Sequence, residues 1–401
     1  MELLGASLEC PSLEILSFVD MPRWEKWSTN SGVVFPCLRQ LHIRNCPSLV
    51  EVSLETLPSL NVLETTECDS GVLKRLVQLA SSVTKLDICH ILRLNDVVWR
   101  GVIQYLGAVE ELCITDCNEI RYLWESEAIA SKFFVNLRKL KVDRCDTMVS
   151  LGEKEEYNCR SNFLTSLTML DLCLCKNMER CKCPVNIDNL IVYKCISMTV
   201  ISLPSGGQKL KSLYISGCKK LSEREWGGHE IMNNTRSMPM LEVIDINDWP
   251  DLKSITELKV LVHLTTLKLI NCGSLESFPD NELSSLTLLK YLHITDCPSM
   301  DASFPRGVWP PKLHSLTIGK LKKPISEWGT QNVPTSVVEL YLHGDDGVGS
   351  SCQFADFLPS SVTRLEIISF GKLKSFSMGL QRLTSLQHLS FSNCPNMVDL
   401  P

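Results

Sequence analysis

About sixteen times along the chain a nine-residue frame returns, LxxLxLxxC, built on Leu, Ile or Val at its first, fourth and sixth positions. Its fourth position onward reads LHIRNCPSL at 41–49, LYISGCKKL at 213–221, LHITDCPSM at 292–300 and LSFSNCPNM at 389–397. Frames start at Leu13, Leu38, Leu60, Val83, Val109, Leu137, Leu167, Ile187, Leu210, Leu241, Leu264, Leu289, Leu313, Val337, Val362 and Leu386. Their mean spacing is roughly 25 residues, the period of tandem structural repeats. LxL makes a short strand with alternate side chains turned inward. No copy can bury its apolar face alone, so neighbouring copies stack in parallel and share one core. At roughly 4.8 Å per strand the stack is on the order of 75 Å long.

This spacing is that of leucine-rich repeats. The expected fold class is an α/β repeat: a leucine-rich repeat solenoid, a curved horseshoe with a parallel concave β-sheet and a convex side mostly irregular or short-helical. By length alone 401 residues would suggest two or three domains, whereas the repeats predict a single solenoid over 1–401. Connections such as WPPKLHSL, VPTSVVEL and LPSSVTRL place proline just before a frame, presetting the extended entry. Two longer polar spacers, 152–163 and 222–239, read as exposed inter-repeat loops, with a functional insertion as the alternative.

Composition excludes several classes. The chain carries 40 Lys and Arg against 46 Asp and Glu, a net charge of −6, and no basic run or basic-aromatic stripe suited to phosphates. Nucleic acid is not an expected partner. MELLGASLEC lacks the cationic and apolar regions of a signal peptide, and no apolar stretch approaches the roughly 18 residues of a membrane span. Nineteen cysteines, an odd number in a long chain, suit a reducing cytosol or nucleus, where they act as small buried hydrophobes.

Ten frames carry cysteine at position nine: Cys46, Cys68, Cys117, Cys145, Cys175, Cys195, Cys218, Cys272, Cys297 and Cys394. There the chain leaves the strand, and a small inward donor relieves buried backbone carbonyls. The expectation is a structural ladder, with no metal. The spacing of Cys173, Cys175, Cys181 and Cys183 is not a usual zinc-finger pattern, and the frame turns Cys173 outward and Cys175 inward. No GxSxG, HExxH or phosphate loop appears, and the Gly-Lys dipeptides at Gly319 and Gly371 lack the rest of a P-loop. No catalytic residue and no cofactor is expected, and the chain is not read as an enzyme.

Positions three, five, seven and eight point outward on the concave face, where a solenoid presents its binding surface. One frame is acidic there, with Glu110, Glu111 and Asp116, and the next basic, with Arg138, Lys139, Lys141 and Arg144. Such neighbours suit strand-to-strand pairing as readily as a ligand. The candidate partner-binding residues are Tyr193, Lys194, Tyr214, Asp245, Asp248, Tyr291, His293, Asp296, Tyr341 and His343, with Thr295 also on the partner side. Aromatic anchors dominate interface energetics, although aromatics favour strands in any case.

Over essentially its whole length the chain resembles the C-terminal leucine-rich repeat region of plant intracellular nucleotide-binding immune receptors of the coiled-coil class. The resemblance rests on FPCLRQLHIRNCPSLVEVSL at 35–54, LPSLNVLETTEC at 57–68, TSLQHLSFSNCPNMVDLP at 384–401, and PSLEILSFVDMPRWEKW at 11–27 with its Met-Pro and Trp-x-x-Trp. It implies sensing of a pathogen effector or a guarded host protein, and restraint of a nucleotide-binding switch. This chain has no P-loop, so the switch would lie in a missing portion of a fragment or truncated product. The competing class is the substrate adaptor of F-box ubiquitin ligases, whose repeats follow the cysteine with ITDxGL and a helix. A third, extracellular receptor-like repeats, would show NxLxGxIP, which is absent.

Overall fold

The structure, a computed structural model, describes residues 10, 12–28, 35–154, 162–203, 208–221, 238–255, 258–276, 282–300, 309–323, 325, 333–344, 358–376 and 382–398. Of the two long spacers, 155–161 and 222–237 lie outside the described residues. Two compact units divide the chain, Met1–Ser205 and Gly206–Pro401.

The main sheet of the first unit carries eight parallel strands, one per frame: β1 (Ile15–Val19), β2 (Gln40–Arg44), β3 (Val62–Thr66), β4 (Lys85–Cys89), β5 (Glu111–Thr115), β6 (Lys139–Asp143), β7 (Met169–Cys173) and β8 (Asn189–Tyr193); three short parallel pairs stand outside it, Lys26–Ser28 with Glu51–Ser53, Trp124–Ser126 with Gly152–Lys154, and Arg180–Lys182 with Val200–Ser202. Each pairs with the next without slip, so that Leu41, Leu63, Leu86, Leu112, Leu140, Leu170 and Leu190 stand in one row. A one-residue slip would turn every apolar side chain to solvent, which is why the frame fixes the register. The second unit repeats the arrangement with β9 (Ser212–Ser216), β10 (Val243–Asn247), β11 (Thr266–Ile270), β12 (Tyr291–Cys297), β13 (Ser315–Leu321), β14 (Glu339–His343), β15 (Arg364–Ile368) and β16 (His388–Ser392).

Core residues occupy positions one, four, six and nine: Leu38, Leu41, Ile43 and Cys46 are all fully buried, as are Leu264, Leu267, Leu269 and Cys272. A fully buried Leu or Ile contributes about 1.5–3 kcal/mol, and the frame supplies three per repeat. Position twelve adds a fourth apolar contact that frame reading missed. Leu49, Met148, Met178, Met198, Leu221, Leu275 and Met300 are buried there, and each donates its amide to the carbonyl of position nine. That closes a turn in which Pro47 or Pro298 presets the first central residue.

Position eight has a left-handed backbone in nearly every repeat, with φ between 50° and 68° at Asn45, Asp116, Arg144, Lys194, Gly217, Asp248 and Asp296 among others. Its amide extends the ladder by one bond, as from Asn45 to the Thr66 carbonyl and from Asp248 to that of Ile270. Asn, Asp and Gly tolerate this conformation best.

Short helices appear behind the first unit's sheet: α1 (Ser70–Leu79), α2 (Asp96–Val102) and α3 (Glu127–Phe133). Side chains of Asp69, Asn95 and Ser126 cap their first amides. Helix α1 buries Val72, Leu73, Leu76 and Val77 on one face. At the first repeat Phe18, Trp24 and Trp27 form an aromatic cluster with ring centroids 4.4–5.9 Å apart.

Candidate functional site

Cys46, Cys68, Cys117, Cys145, Cys175, Cys195, Cys218, Cys272 and Cys297 are buried, while Cys394, beside the edge strand β16, is partly open. The thiols of Cys68, Cys145, Cys175, Cys195, Cys297 and Cys394 each meet two carbonyls. Cys68 Sγ donates to Thr66 O at 3.2 Å and, one repeat back, to Ile43 O at 3.6 Å; Cys175 does the same to Cys173 O and Val142 O, and Cys195 to Tyr193 O and Leu172 O. Burial pushes the Cys68 thiol up to about 11 and that of Cys117 to about 12, so these sulfurs are protonated at neutral pH. Where position nine is Trp249, its indole Nε1 donates to Leu221 O at 2.9 Å instead.

Cys175, Cys181 and Cys183 are buried, whereas Cys173 is half-exposed with its thiol on Asp171 Oδ1 at 2.9 Å. Among the described residues no group of three His, Cys, Asp or Glu side chains is placed to hold a metal ion.

On the first unit's sheet face, opposite charges pair across strands. Lys139 Nζ lies 2.6 Å from Glu111, Arg138 lies 3.6 Å from Glu110, and Arg144 bridges Asp116 at 3.0 Å and Asp143 at 2.9 Å. Glu64 takes Arg44 and His42, and the Arg44 guanidinium holds its carboxyl below the usual range. Tyr193 and Lys194 are exposed, with the Lys194 ammonium 5.0 Å from the Tyr193 ring centre.

Strand register in the second unit sets Tyr214, Asp245, Lys268, His293, Thr317, Tyr341 and Glu366 in one row at position five. Four candidates therefore share a line: Tyr214, Asp245, His293 and Tyr341. Tyr291, 46% exposed, stands in the position-three row, His343 in the position-seven row, and Asp248 and Asp296 on the left-handed turns. Lys268 bonds Asp245 at 3.1 Å and Lys320 bonds Asp296 at 2.9 Å. Asn271 donates to Asp248 at 2.6 Å. Lys268, Thr317, Lys320 and Glu366 were missed among the candidates, although counting the frame finds each at position five or eight.

Two expectations need correction. His293 and His343 are half-buried rather than exposed, their ring centroids 6.2 Å apart. Thr295, expected on the partner side, is 2% exposed. Its hydroxyl is 3.1 Å from His293 Nε2, and in its own row it is followed on the next two strands by Gly319, which has no side chain, and His343. Burial, reinforced by His343 and Lys268, drops the His293 imidazole to about 4. At neutral pH the His293 imidazole is therefore uncharged, between the ion pairs at Asp245 and Asp296.

No protein-family model matches the chain. In sequence it is similar to disease resistance proteins of Arabidopsis thaliana: RPP4, 24% identical over 348 residues covering 76% of this chain and 28% of RPP4, and an RPP13-like protein, 24% over 174 residues covering 42% and 13%. A third, 43% identical, matches over 60 residues, 14% of this chain and 4% of its own length. The chain thus aligns with less than a third of each of these relatives. Similar solved structures include TLR13 in complex with ssRNA13, with a TM-score of 0.46 and 16% identity over 96% of this chain and 68% of that one. Another is the leucine-rich repeat ectodomain of the Arabidopsis receptor kinase GASSHO1, with 0.36 and 14% over 88% and 53%. With frame after frame in register in both units, the fold of this chain is a leucine-rich repeat solenoid.

Proposed function

We propose that the chain is the protein-recognition module of a plant innate immune receptor. It senses a pathogen effector or a guarded host protein, and regulates a nucleotide-binding switch for which this chain has no P-loop. The observation that carries the reading is the similarity to RPP4 over 76% of the chain, joined to a regular sheet face whose outward residues differ from repeat to repeat. A rigid scaffold with a varied surface suits protein recognition.

In the second unit Tyr214, Tyr291 and Tyr341 are the anchors, with neutral His293 and His343 between ion-paired flanks at Asp245 and Asp296. Rigid aromatics with satisfied charges around them bind with little ordering cost. Tyr193 and Lys194 extend recognition on the first unit, and the position-nine cysteines serve as scaffold. The receptor works inside the cell, in the cytoplasm or nucleus; among the described residues no helix is long and apolar enough to cross a membrane.

Proximity labelling in leaf tissue tests this, using the chain fused to a biotin ligase. The expected outcome is a set of labelled proteins lost on joint replacement of Tyr214, Tyr291 and Tyr341 by Ala. An unchanged set removes the concave-face reading.

A further inference from the structure

Among the described residues β1 pairs with β2 alone and β16 with β15 alone, whereas inner strands such as β2 and β11 are bonded on both edges. The two open edges carry opposite halves of one ladder. On β16 the position-eight amide of Asn393 has no acceptor among the described residues, although that of Asn45 reaches Thr66 O and that of Asp248 reaches Ile270 O. The position-two carbonyl of Gln387 likewise lacks the two amides that Glu14 O takes from Arg39 and Gln40. On β1 the counterparts are open: the amides of Glu14 and Ile15 and the carbonyl of Val19. An edge left in this state is a template for another strand.

Core positions are open at the same two places. Positions one, four and six are fully buried in inner repeats, as at Leu264, Leu267 and Leu269, but only partly covered at Leu13, Leu16 and Phe18 and at Leu386, Leu389 and Phe391. Position six also differs in kind. In every repeat between the two it is aliphatic or, at Thr65, a threonine; in β1 and β16 it is phenylalanine. Phe18 packs on Trp24 with ring centroids 4.4 Å apart, and Phe391 on Phe376 at 5.3 Å. Stacking of repeats is served by an aliphatic there, and a part-exposed aromatic is the residue type that anchors an interface.

We propose that the chain associates head to tail with a second copy of itself: β16 of one molecule takes β1 of the next as a further parallel strand, in register, with Phe391 against Phe18. Two β16 edges, or two β1 edges, present the same groups to each other and cannot continue a parallel ladder. Across the head-to-tail junction no like charges meet. Gln387 faces Glu14, His388 faces Ile15, and Asn393 faces Asp20, repeating the amide-to-carboxylate bonds of Asn45 with Asp20 at 2.8 Å and of Asn271 with Asp248 at 2.6 Å. Such a contact is heterologous, so each added copy offers the same two edges and growth does not stop at a dimer. This association is independent of what the concave face binds.

Sedimentation velocity on the purified chain over a roughly hundredfold range of concentration tests it. The average mass should rise past that of a dimer. Ser17→Pro blocks β1 by removing an outward amide, and Phe391→Lys sets a charge in the open core of β16. Each variant alone should be monomeric. Mixed in equal amounts they should form a dimer and nothing larger, because one intact β16 edge then meets one intact β1 edge. Thermal unfolding reports folding. Phe391→Val, which restores the aliphatic residue of the inner repeats, keeps the fold and should weaken association severalfold. A wild-type chain that is monomeric over the whole range overturns the proposal. So does association of either folded blocked variant alone at the wild-type level, a mixture of the two folded variants that stays monomeric, or Phe391→Val associating as the wild type does.

Discussion

The thiol of Cys145 donates to the carbonyl oxygen of Ile114, 31 residues earlier, at 3.8 Å, and to its own strand's Asp143 carbonyl at 3.5 Å. One small side chain thus ties two repeats together at the point where both leave the sheet. Cys145→Ala should cost about 1–3 kcal/mol, from a small cavity and two carbonyls losing a donor. Exposed Cys37→Ala should stay within about 0.5 kcal/mol. Urea unfolding measures both. In the native chain a thiol-reactive dye should label Cys37 at once and Cys145 only on unfolding, because burial keeps the Cys145 thiol protonated.

Gly319 should tolerate no side chain. Its φ is +152°, and a Cβ there would fall 1.8 Å from the His343 carbonyl oxygen on the neighbouring strand. Gly319→Ala should lower stability by about 3 kcal/mol or more, through strain and a displaced strand. A Cβ on Gly107 meets nothing within 4 Å, so Gly107→Ala should leave the melting temperature nearly unchanged.

Stability should fall as pH drops through the range set by His293. Its folded imidazole sits near 4, below the ordinary 6.5, so below pH 6.5 the unfolded chain binds a proton that the folded chain refuses. The contribution is complete above about pH 6.5, is lost progressively towards pH 4, and changes no further below that. Urea midpoints from pH 4 to 7.5 should show this slope, and His293→Gln should flatten it. His343 is lowered by burial as well and should leave a smaller slope of the same sign.

Arg144 holds two carboxylates, and their burial differs. Asp143 is 9% exposed, with Oδ1 buried and without a hydrogen bond, while Asp116 is more open. Arg144→Ala should cost about 1–3 kcal/mol because a buried charge loses its partner, and Asp116→Ala under about 1 kcal/mol. Adding Asp143→Asn to Arg144→Ala should recover much of the loss. A double-mutant cycle by chemical unfolding reads the difference.

Much of the fold was legible because strand alternation has a period of two: once the frame was found, Leu41, Ile43 and their counterparts could only face inward. The position-eight turn was not read, since it is a backbone state. Its trace was the Asp, Asn and Gly at Asp20, Asn45, Asp116, Gly217 and Asn271. Buried Met148 and Met198 had a trace too, three residues after each ladder cysteine. Thr295 had none in the frame: its hydroxyl meets His293 two residues back, and its partner on the next strand is Gly319. Outward residues could be named singly, but that Tyr214, Asp245, His293 and Tyr341 share a row follows from register.

The direct test of the central claim is the affinity of the purified chain for a protein captured in leaf tissue, measured by calorimetry for wild type, for Tyr214→Ala with Tyr341→Ala, and for Lys26→Ala on the short strand Lys26–Ser28, which pairs with Glu51–Ser53 outside the main sheet. The account predicts at least a tenfold, or about 1.4 kcal/mol, loss for the tyrosine pair and none for Lys26. Equal affinity for all three proteins would contradict it.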